Sequence, residues 1–255
     1  MKNKFRFQLI SDLHLENINY EFNIFAKAPF LILGGDIGLA NNGKLKSFLW
    51  KTADKFSKVF FVPGNHEYYK NSIEEANFQI QHYCDTAPKK NIIFLNKTSL
   101  AIKNLRILGT TLWSQIDKNN YEEIRSRLND YKEIKINQRI LIPNDTLSFF
   151  EDNILWLKKE LKKAKNNKEK VLIITHHAPS LTMTASSEKL GSSLQSAFCS
   201  NLDNLIKNND HIKIWTYAHT HFVNEHKLYK TRLISNSRGY ESALVAGFNQ
   251  NRALS

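Results

Sequence analysis

Short runs of uninterrupted apolar residues, each stopping on side chains that bind metals, constrain this chain more than any other feature. Phe30-Leu31-Ile32-Leu33 breaks at Gly34-Gly35-Asp36, and Val59 to Val62 breaks at Pro63-Gly64-Asn65-His66-Glu67. Val171 to Ile174 ends at Thr175-His176-His177. A continuous apolar run of this length reads as a strand buried on both faces. Two further runs, apolar-rich but interrupted by polar residues, end in the same way. Phe5 to Ile10 stops at Ser11-Asp12-Leu13-His14, and Ile212 to Tyr217 stops at Ala218-His219-Thr220-His221.

Helical spacing separates these runs. Leu45, Phe48, Leu49 and Phe56 predict a helix over 44–57, and another is expected over 72–84. A long amphipathic helix is expected over 145–165, with Asp145 as its N-cap and Leu147, Phe150, Ile154, Leu157 and Leu161 on one face. Shorter strands are read at 92–95, 99–102 and 106–113, and 223–235 offers two closing antiparallel strands. Alternating strand and helix predicts an α/β layer fold with at least one partly parallel sheet. Ligands gather beyond the carboxyl ends of such strands.

Five strand ends therefore carry Asp12 and His14, Asp36, Asn65 and His66, His176 and His177, then His219 and His221. Imidazole with carboxylate and amide oxygens is a borderline-to-hard donor set, suited to Mn, Fe, Zn or Co. Asp12 and His14 are two apart, as are His219 and His221. In extended chain that spacing places both side chains on one face. A carboxylate such as Asp36 can bridge two cations ~3.5–4 Å apart, with a hydroxide between them. The remaining histidines, His82, His211 and His226, read as surface residues.

The blocks Asp12-Leu13-His14, Gly35-Asp36, Gly64-Asn65-His66-Glu67, His176-His177 and His219-Thr220-His221 resemble, in order, the five motifs of the calcineurin-like metallophosphoesterases. The resemblance runs from near the N-terminus to about residue 221. It implies a four-layer α-β-β-α sandwich with two mixed β-sheets and a dinuclear metal site at strand C-terminal ends. One ion would be held by Asp12, His14, Asp36 and His221. The second would be held by Asp36, Asn65, His219 and one of the adjacent pair, taken here as His176. His66 would be the general acid or the electrostatic partner of the leaving oxygen, and Glu67 would orient its neighbours. His177 would face substrate or support the ligands. The implied cofactors are two divalent or trivalent ions, with Mn first among them. The implied reaction is hydrolysis of a phosphomonoester or phosphodiester by a hydroxide bound between the two metals.

The sequence departs from the family pattern at two places. Ala218 stands where the last block opens with Gly. Leu39 stands where many members carry a second Asp, which leaves the support of the Asp36 loop open.

Composition bears on partners. The chain has 36 Lys and Arg against 24 Asp and Glu, a formal charge of +12. The lysines are spread along the sequence, so the charge by itself specifies no anionic site. A small chain without a nucleic-acid module makes a small molecule or nucleotide the first expected substrate and nucleic acid, which the basic charge favours, the second, with a non-catalytic scaffold of the same fold as a further alternative. Only Cys84 and Cys199 occur, and no apolar stretch has signal-peptide or bilayer-spanning length. A cytoplasmic protein without a membrane span is expected, and nothing in the sequence assigns an oligomeric state.

One domain is expected over 1–255, with 114–145 as an insertion or lid. Tyr68, Tyr69, Trp113 and Ser114 are weaker candidates for the pocket wall, as is the Ser- and Thr-rich loop over 178–200. Arg238 is a candidate phosphate contact, although Gly239 beside it also reads as a turn.

Overall fold

The computed structural model describes residues 5–255, so the basic start of the chain, Met1 to Lys4, lies outside the described residues. Two mixed sheets form the centre. The first has strands in the order Ala253–Leu254, Phe7–Ile10, Phe30–Leu33, Lys58–Phe61, Ile92–Phe94. All are parallel except Ala253–Leu254, which runs antiparallel beside Phe7–Ile10. The second sheet runs Glu225–Leu228, Thr231–Ser235, Ile212–Tyr217, Lys170–Thr175, Leu105–Thr110, Thr98–Ile102. Its inner four strands are parallel and both outer strands are antiparallel.

Successive side chains on a strand point to opposite faces, so an unbroken apolar strand serves two interfaces. Leu9, Ile32, Phe60 and Val62 of the first sheet pack in one cluster with Ile107, Leu172, Ile174 and Ile234 of the second. Their sequence neighbours Ile10, Leu31, Leu33, Val59 and Phe61 turn outward. There they join Leu45, Phe48 and Leu49 of helix Gly43–Ala53, with Ala76 and Ile80 of helix Ile73–Asp85. On the far side, Val171, Ile173 and Trp215 share a core with Phe150, Leu157 and Leu161 of helix Pro143–Asn166. Each buried Val, Leu, Ile or Phe among them stabilises the fold by roughly 1.5–3 kcal/mol. The four layers follow: helix, sheet, sheet, helix.

Several local expectations shift. The first helix starts one residue early, with Asn42 accepting from the Lys44 amide, and stops at Ala53. The long helix starts at Pro143, whose missing N–H costs nothing in a first turn. Asp145 is therefore not the N-cap. It is the third helical residue, and its carboxylate reaches back to accept the Ile142 amide at 2.9 Å. The two closing strands in 223–235 appear as expected. The polar stretch before the long helix holds helices Tyr121–Arg127 and Asp130–Glu133 and a strand, Ile134–Ile136, that pairs with Asn71–Ser72. His82 is exposed, but His211 and His226 are half-buried, and His211 donates to the Leu161 carbonyl at 3.1 Å. Cys84 and Cys199 are buried and unpaired. Among the described residues, no helix is long and apolar enough to cross a membrane.

Candidate metal centre

The parallel strands of both sheets end at one edge of the sandwich, and the donor residues follow those ends. Convergence does not come from extended chain, as the two-residue spacing suggested. Asp12, His14, Asp36, His219 and His221 all have left-handed backbone, with φ between 50° and 65°. Only a few per cent of non-glycine residues take that conformation, Asp and His more often than most, and such conformations gather at functional sites. Glycines make the close approaches. A Cβ on Gly64 would stand 2.2 Å from Asp36 Oδ1, and one on Gly35 would stand 2.5 Å from His176 Nδ1. A side chain at either position would displace a donor.

Three overlapping groups of donor atoms result, each with all atoms within 4.8 Å of one another: Asp12, His14 and His221; His14, Asp36 and His66; Asp36, His176 and His219. Asp36 belongs to two of them. His14 Nε2 and His221 Nε2 are 3.1 Å apart, and His221 Nε2 is 3.5 Å from Asp12 Oδ1. On the other side, His176 Nε2 lies 3.1 Å from Asn65 Oδ1 and 3.3 Å from Asp36 Oδ1. The opposite nitrogen of His176 donates to the Gly34 carbonyl at 2.9 Å. That is how a ligating imidazole is usually held. His219 Nε2 is buried without a hydrogen-bond partner. A buried acceptor nitrogen left unpaired is costly unless something electropositive meets it. The donor set and this orphaned atom both fit metal ions.

The adjacent histidines part company. His177 turns its Nδ1 to the Thr111 carbonyl at 3.3 Å and packs its ring between Trp113 and His219. It stays out of the three donor groups.

Burial and charge set the protonation. Burial pushes the Asp36 carboxyl up, but His176, His66 and His14 hold it well below the carboxylate range. Burial also raises Asp12, and the hydrogen bond and charge of His221 outweigh it, so this carboxyl too is held low. His176 and His66 lose hydration, yet Asp36 carries both up to about 9, with Glu16 helping at His66. Burial and the neighbouring His176 push His177 down to about 3, so its ring is neutral at pH 7. Metal ligation would displace the imidazolium protons, because imidazole binds metals in its neutral form.

Glu67 answers the question left by Leu39. Its carboxylate accepts the backbone amides of Asp36, Ile37, Gly38 and Gly64 at 2.5–3.2 Å, tying the two ligand loops together. Ala218 is buried.

A cleft of about 240 Å³ opens on the cluster, lined by Asp36, Asn65, His66, His219 and His221, with Tyr69, Arg127, Asp130, Lys189, Phe198 and Tyr240. Tyr69 thus walls the cleft, whereas Tyr68 is buried in the core. Trp113 packs against His177 and, like Ser114, is buried and does not line the opening. The loop after His177 contributes Lys189 and Phe198 rather than its hydroxyls. Ser180 donates to Asp203 at 2.6 Å instead. Arg238 is also turned away. Its guanidinium is buried against the Leu13 carbonyl, the Tyr20 hydroxyl and Glu241. Sequence reasoning missed Glu16, Asp130 and Tyr240, and it singled out the loop over 178–200 for its hydroxyls rather than for Lys189. Only Glu16 carried a signal, lying two residues past His14 as His14 lies two past Asp12.

Comparisons with known proteins assign the family and the fold. The model of the calcineurin-like phosphoesterase family matches residues 5–223. A protein of Acanthamoeba polyphaga mimivirus, L509, is 31% identical over 258 residues, covering 91% of this chain and 90% of that one. Among solved structures, phosphopantetheinyl hydrolase from Mycobacterium tuberculosis superposes with a TM-score of 0.71 at 15% identity, covering 92% of this chain and 90% of its own. A dimetal phosphatase from Danio rerio gives 0.57 at 13% identity, covering 91% and 86%. At such identities the structures speak for the fold alone, while the family model spans most of the sequence, every donor residue included. The chain belongs to the calcineurin-like phosphoesterase family and is a phosphoric ester hydrolase.

Proposed function

We propose that the protein hydrolyses a small phosphate ester at two metal ions that share Asp36. The observation that carries this reading is the overlap of donor groups at Asp36, with His14, His66, His176 and His219 all within reach of its carboxylate. Asp12, His14, Asp36 and His221 would hold one ion, and Asp36, Asn65, His176 and His219 the other. Manganese is the first candidate, given the mixed oxygen and imidazole donors. Such ions, when bound, supply Lewis acidity and an activated water. The chain's own residues do the rest. Asp12 and Asp36 keep negative charge at the centre. Asn65 and His176 are held in fixed orientation by hydrogen bonds on their far sides. His66 turns Nε2 into the cleft, 3.9 Å from Asp36 and 3.2 Å from the Tyr240 hydroxyl, where it can give a proton to a leaving alcohol. The stretch 114–145, which places Arg127 and Asp130 at the cleft, would act as a fixed wall or lid.

The size of the cleft favours a small molecule or nucleotide over a polymer. The distribution of charge supports the same choice. Lys103, Lys170, Lys213, Lys227, Lys230 and Arg232 gather at the opposite ends of the strands, away from the donors. A nuclease would want them beside the site. Two unpaired cysteines suit a reducing, cytoplasmic setting.

The test is turnover of p-nitrophenyl phosphate and bis-p-nitrophenyl phosphate by protein stripped of metal and resupplied with Mn²⁺. Turnover restored by metal and lost in Asp36→Asn and His66→Ala supports the proposal, and the preferred ester assigns mono- or diesterase. Protein that binds no metal would refute it and favour the scaffold.

A further inference from the structure

His66 has two nitrogens, and the use of one depends on what holds the other. Its Nδ1 lies 2.8 Å from Glu16 Oε1. A carboxylate oxygen only accepts, so Nδ1 is the donor in this pair. The same oxygen lies 3.4 Å from Nδ1 of His14. One carboxylate thus stands behind a donor of the proposed first ion and behind the proposed acid.

Glu16 is itself built into place. It lies on a short 3₁₀ turn, Leu15–Asn17, entered through the left-handed His14. The buried side chains of Leu15 and Ile18 fix that turn, and the Leu15 amide donates to the Ile37 carbonyl at 2.9 Å. Lys44 Nζ ties it down from the first helix, donating to the carbonyls of Leu15 at 3.2 Å and Ile18 at 2.6 Å. The Glu16 side chain is only 12% exposed, so its surroundings already limit its rotamers and less ordering is left to do.

We propose that Glu16 is the positioning residue for His66, holding the ring through Nδ1 so that Nε2 faces the departing oxygen. The inference rests on the reading of His66 as the acid. In the step it serves, the Nε2 proton passes to the leaving oxygen as the bond from phosphorus to that oxygen breaks; a water oxygen takes its place on phosphorus, and the proton that water gives up returns Nε2 to its protonated form. An alcohol of high pKa needs that proton, whereas p-nitrophenolate leaves without it. A misplaced His66 therefore slows alkyl esters more than p-nitrophenyl esters.

The experiment compares Glu16→Gln and Glu16→Asp with the wild type, all loaded with Mn²⁺, on a p-nitrophenyl ester and the matching methyl ester. Bound metal is counted in each protein. The expected result for Glu16→Gln is full metal content, less than about tenfold loss on the aryl ester and ~10²-fold loss on the methyl ester. Glu16→Asp, which keeps a carboxylate, should recover part of the methyl-ester rate. Loss of metal, or equal slowing of both esters in both variants, would overturn the positioning role and leave Glu16 acting through His14. His66→Ala separates the two readings. If it is selective for the methyl ester while Glu16→Gln is not, only the Glu16 role fails. If His66→Ala slows both esters equally, the acid reading fails and the Glu16 role goes with it.

Discussion

The Asp130 carboxylate stands 2.8 Å from the side-chain nitrogen of Asn65 and so decides which end of that amide faces the donor cluster. The Tyr69 hydroxyl donates to the same carboxylate oxygen at 2.7 Å. With its nitrogen engaged, Asn65 presents Oδ1 toward His176. An amide left free could turn its N–H groups inward instead, and those repel cations. Asp130→Ala is therefore expected to weaken Mn²⁺ binding by ~10–100-fold while the fold persists. Competition with a metal-sensitive dye measures it, and an unchanged affinity would refute the orienting role.

Glu67 accepts four backbone amides with two oxygens. Glutamine offers one oxygen, and its NH₂ would face donors. Glu67→Gln should thus leave buried amides unpaired, destabilising the protein by at least about 2 kcal/mol. Chemical denaturation reads the loss directly. A change below half that size would mean that water or rearranged backbone satisfies the loops.

Ions that bind only the folded chain stabilise it by mass action, by about 2.7 kcal/mol at a hundredfold excess over the dissociation constant. Adding Mn²⁺ to chelator-treated protein should raise Tm by several degrees. In Asp36→Asn the rise should shrink or vanish. Equal rises in both proteins would place the binding elsewhere.

Asp145 offers a test far from the chemistry. Arg139 hydrogen-bonds its carboxylate twice at 2.7 Å and holds it below the usual carboxylate range. A group lowered in the folded state contributes stability above its unfolded pKa, about 3.9, and loses it as pH falls through the folded value. Asp145→Asn keeps an acceptor for the Ile142 amide but removes the charge that faces Arg139 and the helix N-terminus, and should cost about 0.3–1 kcal/mol at pH 7. Near pH 3 the gap between the two proteins should narrow. A gap that widened toward acid would reverse the sign assigned here.

The layers were legible because apolar runs such as Phe30–Leu33 and Val171–Ile174 need burial on two faces, and only a sheet between other layers supplies it. The donor residues were legible because each lies directly after such a run. What escaped came from elsewhere in the chain. Asp130 lies 65 residues from Asn65, and Tyr240 lies 174 from His66. No local pattern links either pair, since tertiary packing alone brings them together. Arg238 failed for the opposite reason. Its charge suggested a phosphate, but Glu241 three residues on offered a nearer partner.

Five donor residues sit in backbone conformations that glycine would occupy with less strain. At these positions durability and activity pull in opposite directions. Replacing Asp36 or His219 by glycine relaxes the turn and relieves crowded charge or an orphaned nitrogen, yet it removes the chemistry. A selection for heat resistance alone would therefore drift toward a sturdier, silent protein, and its first casualties would be the residues that define the enzyme.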